Sequence, residues 1–428
     1  MRILAFLLWP VCLGAAVWHV GPQSSYTNLQ SVVASLRAGD VVEVEGGVTY
    51  GGGVRIDATG TSGNPIIIRG ILRDGKRPVL AGAREDYGAV VRISGNFCVF
   101  ENFEIIGGGG FKDVRGLRNM GHQVTVRDVL IRDCSGHGLL NSDTAGSLRL
   151  ERVEVHNCGS GGTFHQIYIG MDTARYPDGV FRMEFCFLHD AAGGNNVKTR
   201  ALRNEIYYNW IEGAVYFELD LIGPDRHGGV EKTGRVVRCD SDVVGNVIWK
   251  IGSTPTQLVR LGGDGSGASH GRYRFVNNTF VAGGRAPVGV TLFKCQDVFE
   301  SVEMINNVVA GDKGPKRIFS GTATGYRTLG LNNWLLDKTA GIPASWKLTR
   351  TGREPGFRDL AGGDFRLAAS SPLRDSGSAE MVVSWECAFP KPLVRPEFHP
   401  PLRSLEAGKC HVSRPSKGVI DIGAFEGE

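Results

Sequence analysis

Seven short segments can be laid over one another, and this repetition constrains the fold more than any other feature of the chain. They are Arg127-Asp128-Val129-Leu130-Ile131, Glu151-Arg152-Val153-Glu154-Val155, Glu184-Phe185-Cys186-Phe187-Leu188, Tyr208-Asn209-Trp210-Ile211, Gly245-Asn246-Val247-Ile248, Asn277-Asn278-Thr279-Phe280 and Asn306-Asn307-Val308-Val309. Taking the second residue of each, the steps are 24, 33, 24, 37, 32 and 29 residues. Steps of this size suit stacked supersecondary units, with the longer ones leaving room for loops on one side. In this register Cys134 falls over Cys158, and Asn209, Asn246, Asn278 and Asn307 form a column whose amides can bond one another. That role is architectural, and it also suits the formal glycosylation sequon Asn277-Asn278-Thr279. The leucine/asparagine consensus of leucine-rich repeats is absent, and a propeller needs four strands per ~40-residue unit. A single right-handed parallel β-helix fits best, and the 61 glycines in 428 residues agree with an all-β chain of many tight turns.

The ends read differently from the middle. Residues 1–16 have the form of a secretory signal: Arg2, an apolar run from Ile3 to Leu13, then Gly14-Ala15-Ala16. The run falls short of the ~20 apolar residues of a membrane span, and no later segment supplies one. The expected location is therefore secreted or periplasmic, and the protein is expected to be a monomer. A helix over 27–37, capped by Thr27, carries Leu29, Val32, Val33 and Leu36 on one face and covers the open first coil. The β-helix is expected over 17–312. Residues 313–428 hold the last irregular coils, including Asn332-Asn333-Trp334, and a C-terminal cap. Six cysteines (Cys98, Cys134, Cys158, Cys186, Cys239, Cys295) lie in apolar strand-like runs, whereas Cys387 and Cys410 in the tail are candidates for a disulfide. No cysteine pair has zinc spacing, and a formal charge of +4 without a basic run gives no sign of nucleic acid.

Chemistry concentrates between Thr163 and Gly263. Ile167-Tyr168-Ile169, Val197-Lys198-Thr199, Leu219-Asp220-Leu221 and Val259-Arg260-Leu261 share one format, with a polar residue between two apolar or small ones. Strand alternation sends the outer members to a core, so Tyr168, Lys198, Asp220 and Arg260 stack as an exposed column at ~4.8 Å intervals. Gln166, Asn196 and Glu218 form a second column beside it, and Arg200 lies two residues beyond Lys198. Such a ladder can also be no more than ion pairs of little energy.

The chain resembles exported right-handed β-helix proteins of the pectate-lyase-like superfamily. His19-Val20-Gly21-Pro22 and Gly39-Asp40-Val41-Val42 look like their N-terminus, and Asn64-Pro65-Ile66-Ile67-Ile68-Arg69-Gly70 resembles the first-coil motif of alginate lyase and chondroitinase-B relatives. Phe365-Arg366-Leu367 to Ser371-Pro372, and Asp421 to Glu426, are similar to their closing segments. The resemblance implies an acidic polysaccharide as substrate and β-elimination as reaction. The enzyme then neutralises the uronate carboxylate and places a base on the adjacent proton. Asn196-Val197-Lys198-Thr199-Arg200 resembles the lysine-bearing strand of those lyases. Lys198 is then the base, Arg200 or Arg260 meets the carboxylate or leaving oxygen, and Tyr168 or His165 shares proton transfer. Arg260, Asn196 and Gln166 are candidate substrate contacts, and Glu218 and Asp220, with Asn196, are candidate Ca²⁺ ligands. The family's metal carboxylates precede its lysine, whereas here the pair follows it.

Two alternatives stay open. Gly136-His137-Gly138 resembles one polygalacturonase motif, though no upstream Asn-Thr-Asp or Asp-Asp accompanies it; Asp172, Asp178 and Asp190 would be the carboxylates of a glycoside hydrolase. The same scaffold also serves non-catalytic glycan binding, with Phe164, Tyr176 and Tyr207 as stacking platforms and Trp210 in the core.

Overall fold

The computed structural model describes residues 14–82, 88–108, 112–225, 237–252, 254, 257–378, 395–415 and 418–427. Most of the leader and Cys387 lie outside the described residues. Three parallel sheets of 12, 10 and 12 strands run the length of the molecule, and each coil gives one strand to each sheet. One coil, for example, supplies Val124–Arg127, Leu130–Arg132 and Leu139–Asn141 before the chain rejoins the first sheet at Leu148–Glu151. The chain has the pectate-lyase-like right-handed parallel β-helix fold.

Alternation sets the inside. Ile66–Ile71 alternates strictly between buried and half-buried positions. In the third sheet Ile105, Ile131, Val155, Leu188, Ile211, Ile248, Phe280, Val309 and Leu335 stack in register, all shielded from solvent. Burial of each such side chain contributes about 1.5–3 kcal/mol.

The bend between the first and third sheets places one residue per coil in the left-handed region: Asp128, Arg152, Phe185, Tyr208, Gly245, Asn277, Asn306 and Asn332. The overlay expected from the sequence therefore slips by one residue after Phe185. Tyr208, not Asn209, lies over Phe185, and Trp210 pairs with Phe187. The asparagines follow the left-handed residue. Asn209 Nδ2 donates to Asn246 Oδ1 (2.9 Å), Asn246 to Asn278 (2.9 Å), Asn278 to Asn307 (2.9 Å) and Asn307 to Asn333 (3.0 Å). Each Oδ1 also accepts the backbone N–H of the preceding coil's asparagine.

The N-terminal helix is shorter than its pattern suggests, Gln30–Val33 rather than 27–37. Asn28 Oδ1, not Thr27, accepts the Ser31 N–H (2.9 Å). The Asp40 carboxylate accepts the N–H groups of Arg37 and Ala16 and the Trp18 indole, which draws the chain out of the helix. Leu29, Val32, Val33 and Leu36 are buried nonetheless.

Beyond residue 312 the coils continue through Arg317–Gly321, Arg327–Leu331, Trp334–Leu336 and Arg350–Gly352. An antiparallel pair, Phe357–Asp359 with Asp364–Leu367, then leads into the tail. Phe365 stacks on Trp210 at 5.4 Å, and Phe425 joins the same cluster. Trp210 is thus buried on the outer face of the third sheet under the tail. The six strand cysteines are buried, and Cys410 is exposed. No helix among the described residues is long and apolar enough to cross a membrane.

Candidate functional site

The outer face of the ten-stranded sheet carries the column expected from the triplets. Tyr168 pairs with Lys198, Lys198 with Asp220, and Asp220 with Arg260. The same register extends the column in both directions. Arg55, Arg92, Arg118 and Leu140 precede Tyr168, and Lys294 and Ser320 follow Arg260. Six cations therefore share the column with one carboxylate, Asp220. Arg118 is held below the usual arginine range by burial and by the like charges of Arg115 and Arg92, with Asp143 opposing. Arg55 pairs with Asp57, whereas Arg92 and Arg118 make no ion pair among the described residues.

Around Lys198 the charges converge on Asp264, a residue the triplet pattern does not contain. Lys198 Nζ lies 3.0 Å from Asp264 Oδ2, Arg200 Nη2 lies 2.8 Å from the same oxygen, and Arg260 Nη2 lies 3.9 Å away. Asp264 sits in a small antiparallel excursion closed by Gly263 and Ala268, immediately after the Arg260 strand. Burial works against its ionised form, yet Ser266, Arg200 and Lys198 together hold its carboxyl below the usual range. Arg200 Nε donates to Tyr168 Oη (3.1 Å) and its Nη1 to the Gly223 carbonyl (2.7 Å). Burial raises the Tyr168 phenol although Arg200 opposes the shift, so the hydroxyl keeps its proton at neutral pH. Arg260 and Lys294 both lie over the Phe217 ring, at 4.9 and 5.7 Å.

Five sequence-based assignments need correction. Asp220 is not exposed: its two oxygens accept from Arg260 Nε (2.7 Å) and Nη2 (2.6 Å), and Asn195 adds a third donor (2.8 Å). Glu218 does not share its face. Just before each strand of this sheet the chain bends, and the side chain there turns into the interior corner. Gln166 donates to Asn196 Oδ1 (2.7 Å) and Asn196 to Glu218 Oε2 (2.5 Å), all at 0% exposure. Glu218 closes this buried ladder against Lys250, whose Nζ lies 3.9 Å away, and burial pushes its carboxyl up to about 7. The Asp220 oxygens are thus engaged by a guanidinium and an amide, and the Glu218 oxygens face the core rather than the column. Gln166 and Asn196 are out of reach of a polymer. His165 is buried as well, and its Nδ1 accepts the Asn195 N–H (3.0 Å). It belongs to a chain of side-chain caps in which His137 Nδ1 accepts the His165 N–H (3.0 Å) and Asn195 Oδ1 accepts the Phe217 N–H (3.0 Å). Burial holds His137 at about 3 and His165 at about 2, too low for proton exchange near neutrality.

The remaining motif residues are structural or scattered. His137 of the Gly-His-Gly turn is the first of those caps. Asp172 caps the turn to Arg175, Asp178 is exposed, and Asp190 lies with His189 beside the third sheet. Tyr176 stacks on His122, Phe164 lies edge-on to His137, and Tyr207 is buried. Asn277 is fully buried and donates to the Asp421 and Gly423 carbonyls, so its sequon is closed in the folded chain.

No protein-family model matches this chain, and no curated protein matches it. Among solved structures, pectate lyase Pel9A superposes with a TM-score of 0.52 at 12% identity, over 97% of this chain and 97% of its own. An alginate lyase from Paenibacillus sp. str. FPU-7 gives 0.47 at 14% identity, over 73% of this chain and 97% of its own. A GH136 lacto-N-biosidase from Eubacterium ramulus gives 0.46 at 13%, over 78% and 65%. The likeness to Pel9A is one of fold; the chemistry has to be argued from the residues of the column.

Proposed function

We propose that this protein is an exported polysaccharide-degrading enzyme, a lyase that cleaves a uronic-acid-containing polysaccharide by β-elimination on the outer face of the ten-stranded sheet. The observation that carries the reading is the column itself, a row of cations along the sheet with a lysine and a protonated tyrosine on adjacent rungs. Rungs at ~4.8 Å set the cations of Arg55, Arg92 and Arg118 on successive steps, a spacing that suits the carboxylates of an extended acidic chain. Arg92 and Arg118, short of counter-charge, are its docking end.

At the centre the substrate carboxylate takes the place of Asp264 between Arg200 and Arg260 and leaves Lys198 unpaired. An ammonium is no base, so once Asp264 has left, Lys198 first gives its proton to solvent, with the neighbouring arginines favouring the neutral amine. Lys198 then takes the proton beside the carboxylate, the bond to the leaving oxygen breaks as the ring double bond forms, and the Tyr168 hydroxyl returns a proton to that oxygen. Arg200 and Arg260 stabilise the charge that develops on the carboxylate. No step is routed through a metal.

A second reading is a non-catalytic glycan-binding protein, favoured by the ion pairs that already engage Lys198, Asp220 and Arg260. The test is the ultraviolet absorbance of the unsaturated product on alginates, polygalacturonate and glycosaminoglycans, with Ca²⁺ and with chelator. Lys198→Ala should cost about 10²–10⁴-fold in rate, the usual weight of a general base. Full activity in that variant would overturn the assignment. Reducing ends released without absorbance would mean hydrolysis, and binding without product would favour the second reading.

A further inference from the structure

Away from the column, the outer face of the third sheet gathers three metal-ligating side chains that the reading above does not use. Glu154 and His156 point the same way from one strand, Glu154–His156, and His189 ends the next strand, Phe187–His189, directly over His156. Their ligand atoms all lie within 4.8 Å of one another, and all three side chains are half-buried.

The hydrogen bonds place His189 between two carboxylates. His189 Nδ1 lies 2.8 Å from Asp190 Oδ2, and its Nε2 lies 3.2 Å from Glu154 Oε1. With Nδ1 donating to Asp190, Nε2 faces the Glu154 oxygen either with a second proton, as an imidazolium bridging two carboxylates, or with a lone pair that a metal ion shares with that oxygen. A carboxylate behind a histidine is the usual support that orients a metal ligand. The His156 imidazole makes no hydrogen bond among the described residues and stacks on His189, ring centroids 4.8 Å apart. Its nitrogens are free to turn toward the same point. The opposing charges are Arg132, already shared by Glu104 and Asp133, and Arg77.

We propose that Glu154, His156 and His189 bind a divalent transition-metal ion of the zinc class, with Asp190 orienting His189 from behind and water completing the shell. Two imidazoles and one carboxylate suit zinc, nickel or copper better than calcium or magnesium. Bonds of ~2.1 Å around a tetrahedral ion set ligand atoms ~3.4 Å apart, so the rings have to leave their stack and close by about an ångström. His189 also stacks on Phe187, ring centroids 4.1 Å apart, so the movement has to break that contact too. The ion would tie two consecutive coils together on a face remote from Lys198.

The experiment is calorimetric titration of tag-free, chelator-stripped protein with ZnCl₂, repeated with CoCl₂ to read the coordination geometry from its visible spectrum. One ion per chain is expected. The double variant His156→Ala/His189→Ala should abolish binding, and Asp190→Asn should weaken it about 10–100-fold. Cys410→Ser should change nothing, which separates this site from the exposed thiol. Absence of zinc binding by the parent protein, equal binding by the double variant, or loss in Cys410→Ser would each overturn the proposal.

Discussion

Mild acid should loosen this protein through His137 and His165. Each Nδ1 is the acceptor for a backbone N–H one coil on, so protonation breaks a buried hydrogen bond and adds a cation. For His165 the cost comes first from burial, then from His137, Lys198, Arg260 and Arg200; for His137 it comes from burial and then Arg115. Both are therefore neutral in the folded chain down to about 3 and about 2, while in the unfolded chain they protonate near 6.5. A folded pKa below the unfolded one means that the unfolded state binds more protons below 6.5. The stabilisation is complete above that pH and is lost as the pH falls toward 3. Each histidine costs about 1.4 kcal/mol per pH unit in that window, so the pair removes about 4 kcal/mol between pH 7 and 5. Glu218, raised to about 7, opposes part of this loss, because it takes up its proton in the folded chain at higher pH than in the unfolded one. The perturbation is His165→Asn, because Asn195 already performs the same capping with an amide oxygen that does not titrate. Urea unfolding from pH 8 to 5 should show the variant losing about 2 kcal/mol less than the parent. Parallel profiles would refute the capping argument. Lyase activity near neutrality should survive the substitution, whereas a proton-transfer role for His165 would not allow that.

Two further predictions concern the column and the scaffold. Asp264→Asn leaves Lys198, Arg200 and Arg260 without their common counter-ion and should cost about 2–3 kcal/mol in urea unfolding, discounted for partial exposure. The same change should lower KM for an acidic glycan, and a raised KM with unchanged kcat would contradict the idea that Asp264 competes with the substrate carboxylate. Asn246→Ala removes two accepted hydrogen bonds and two Nδ2 protons shared among three acceptors, and orphans the buried Asn209 N–H, a loss of about 3 kcal/mol. Asn333→Ala, at the end of the ladder, should cost measurably less by the same urea midpoint; equal losses would mean that the rungs act independently of position.

How much of this was legible in the sequence depended on whether period two survived locally. It does within each triplet, so Tyr168, Lys198, Asp220 and Arg260 could be placed on one face from their neighbours alone. It fails one residue earlier. Gln166, Asn196 and Glu218 stand two positions from the column residues by count, yet the bend rotates them into the corner between sheets. No strand pattern can report a rotation made by the turn before it. The slip at Tyr208 has a related cause. The left-handed position accepts Phe185, Tyr208, Gly245 or Asn277, so the asparagine pairs Asn277-Asn278 and Asn306-Asn307 do not tell which member bends and which ladders.

Asp264 was hidden for a different reason, since it comes from an excursion outside the repeated triplets. Its position changes how the column has to work. Read from the triplets, Lys198 faces solvent with arginines to either side, ready to act. With Asp264 in place, the three cations are already satisfied, and a neutral sugar gains nothing by approaching them. A ligand has to bring an anion strong enough to replace a carboxylate that hydrogen bonds from Ser266 and the charges of Arg200 and Lys198 favour. Selectivity for acidic glycans and control over when Lys198 is free would then come from one exchange. That is why the KM of Asp264→Asn separates a working active site from a charge ladder more sharply than removal of Lys198 does.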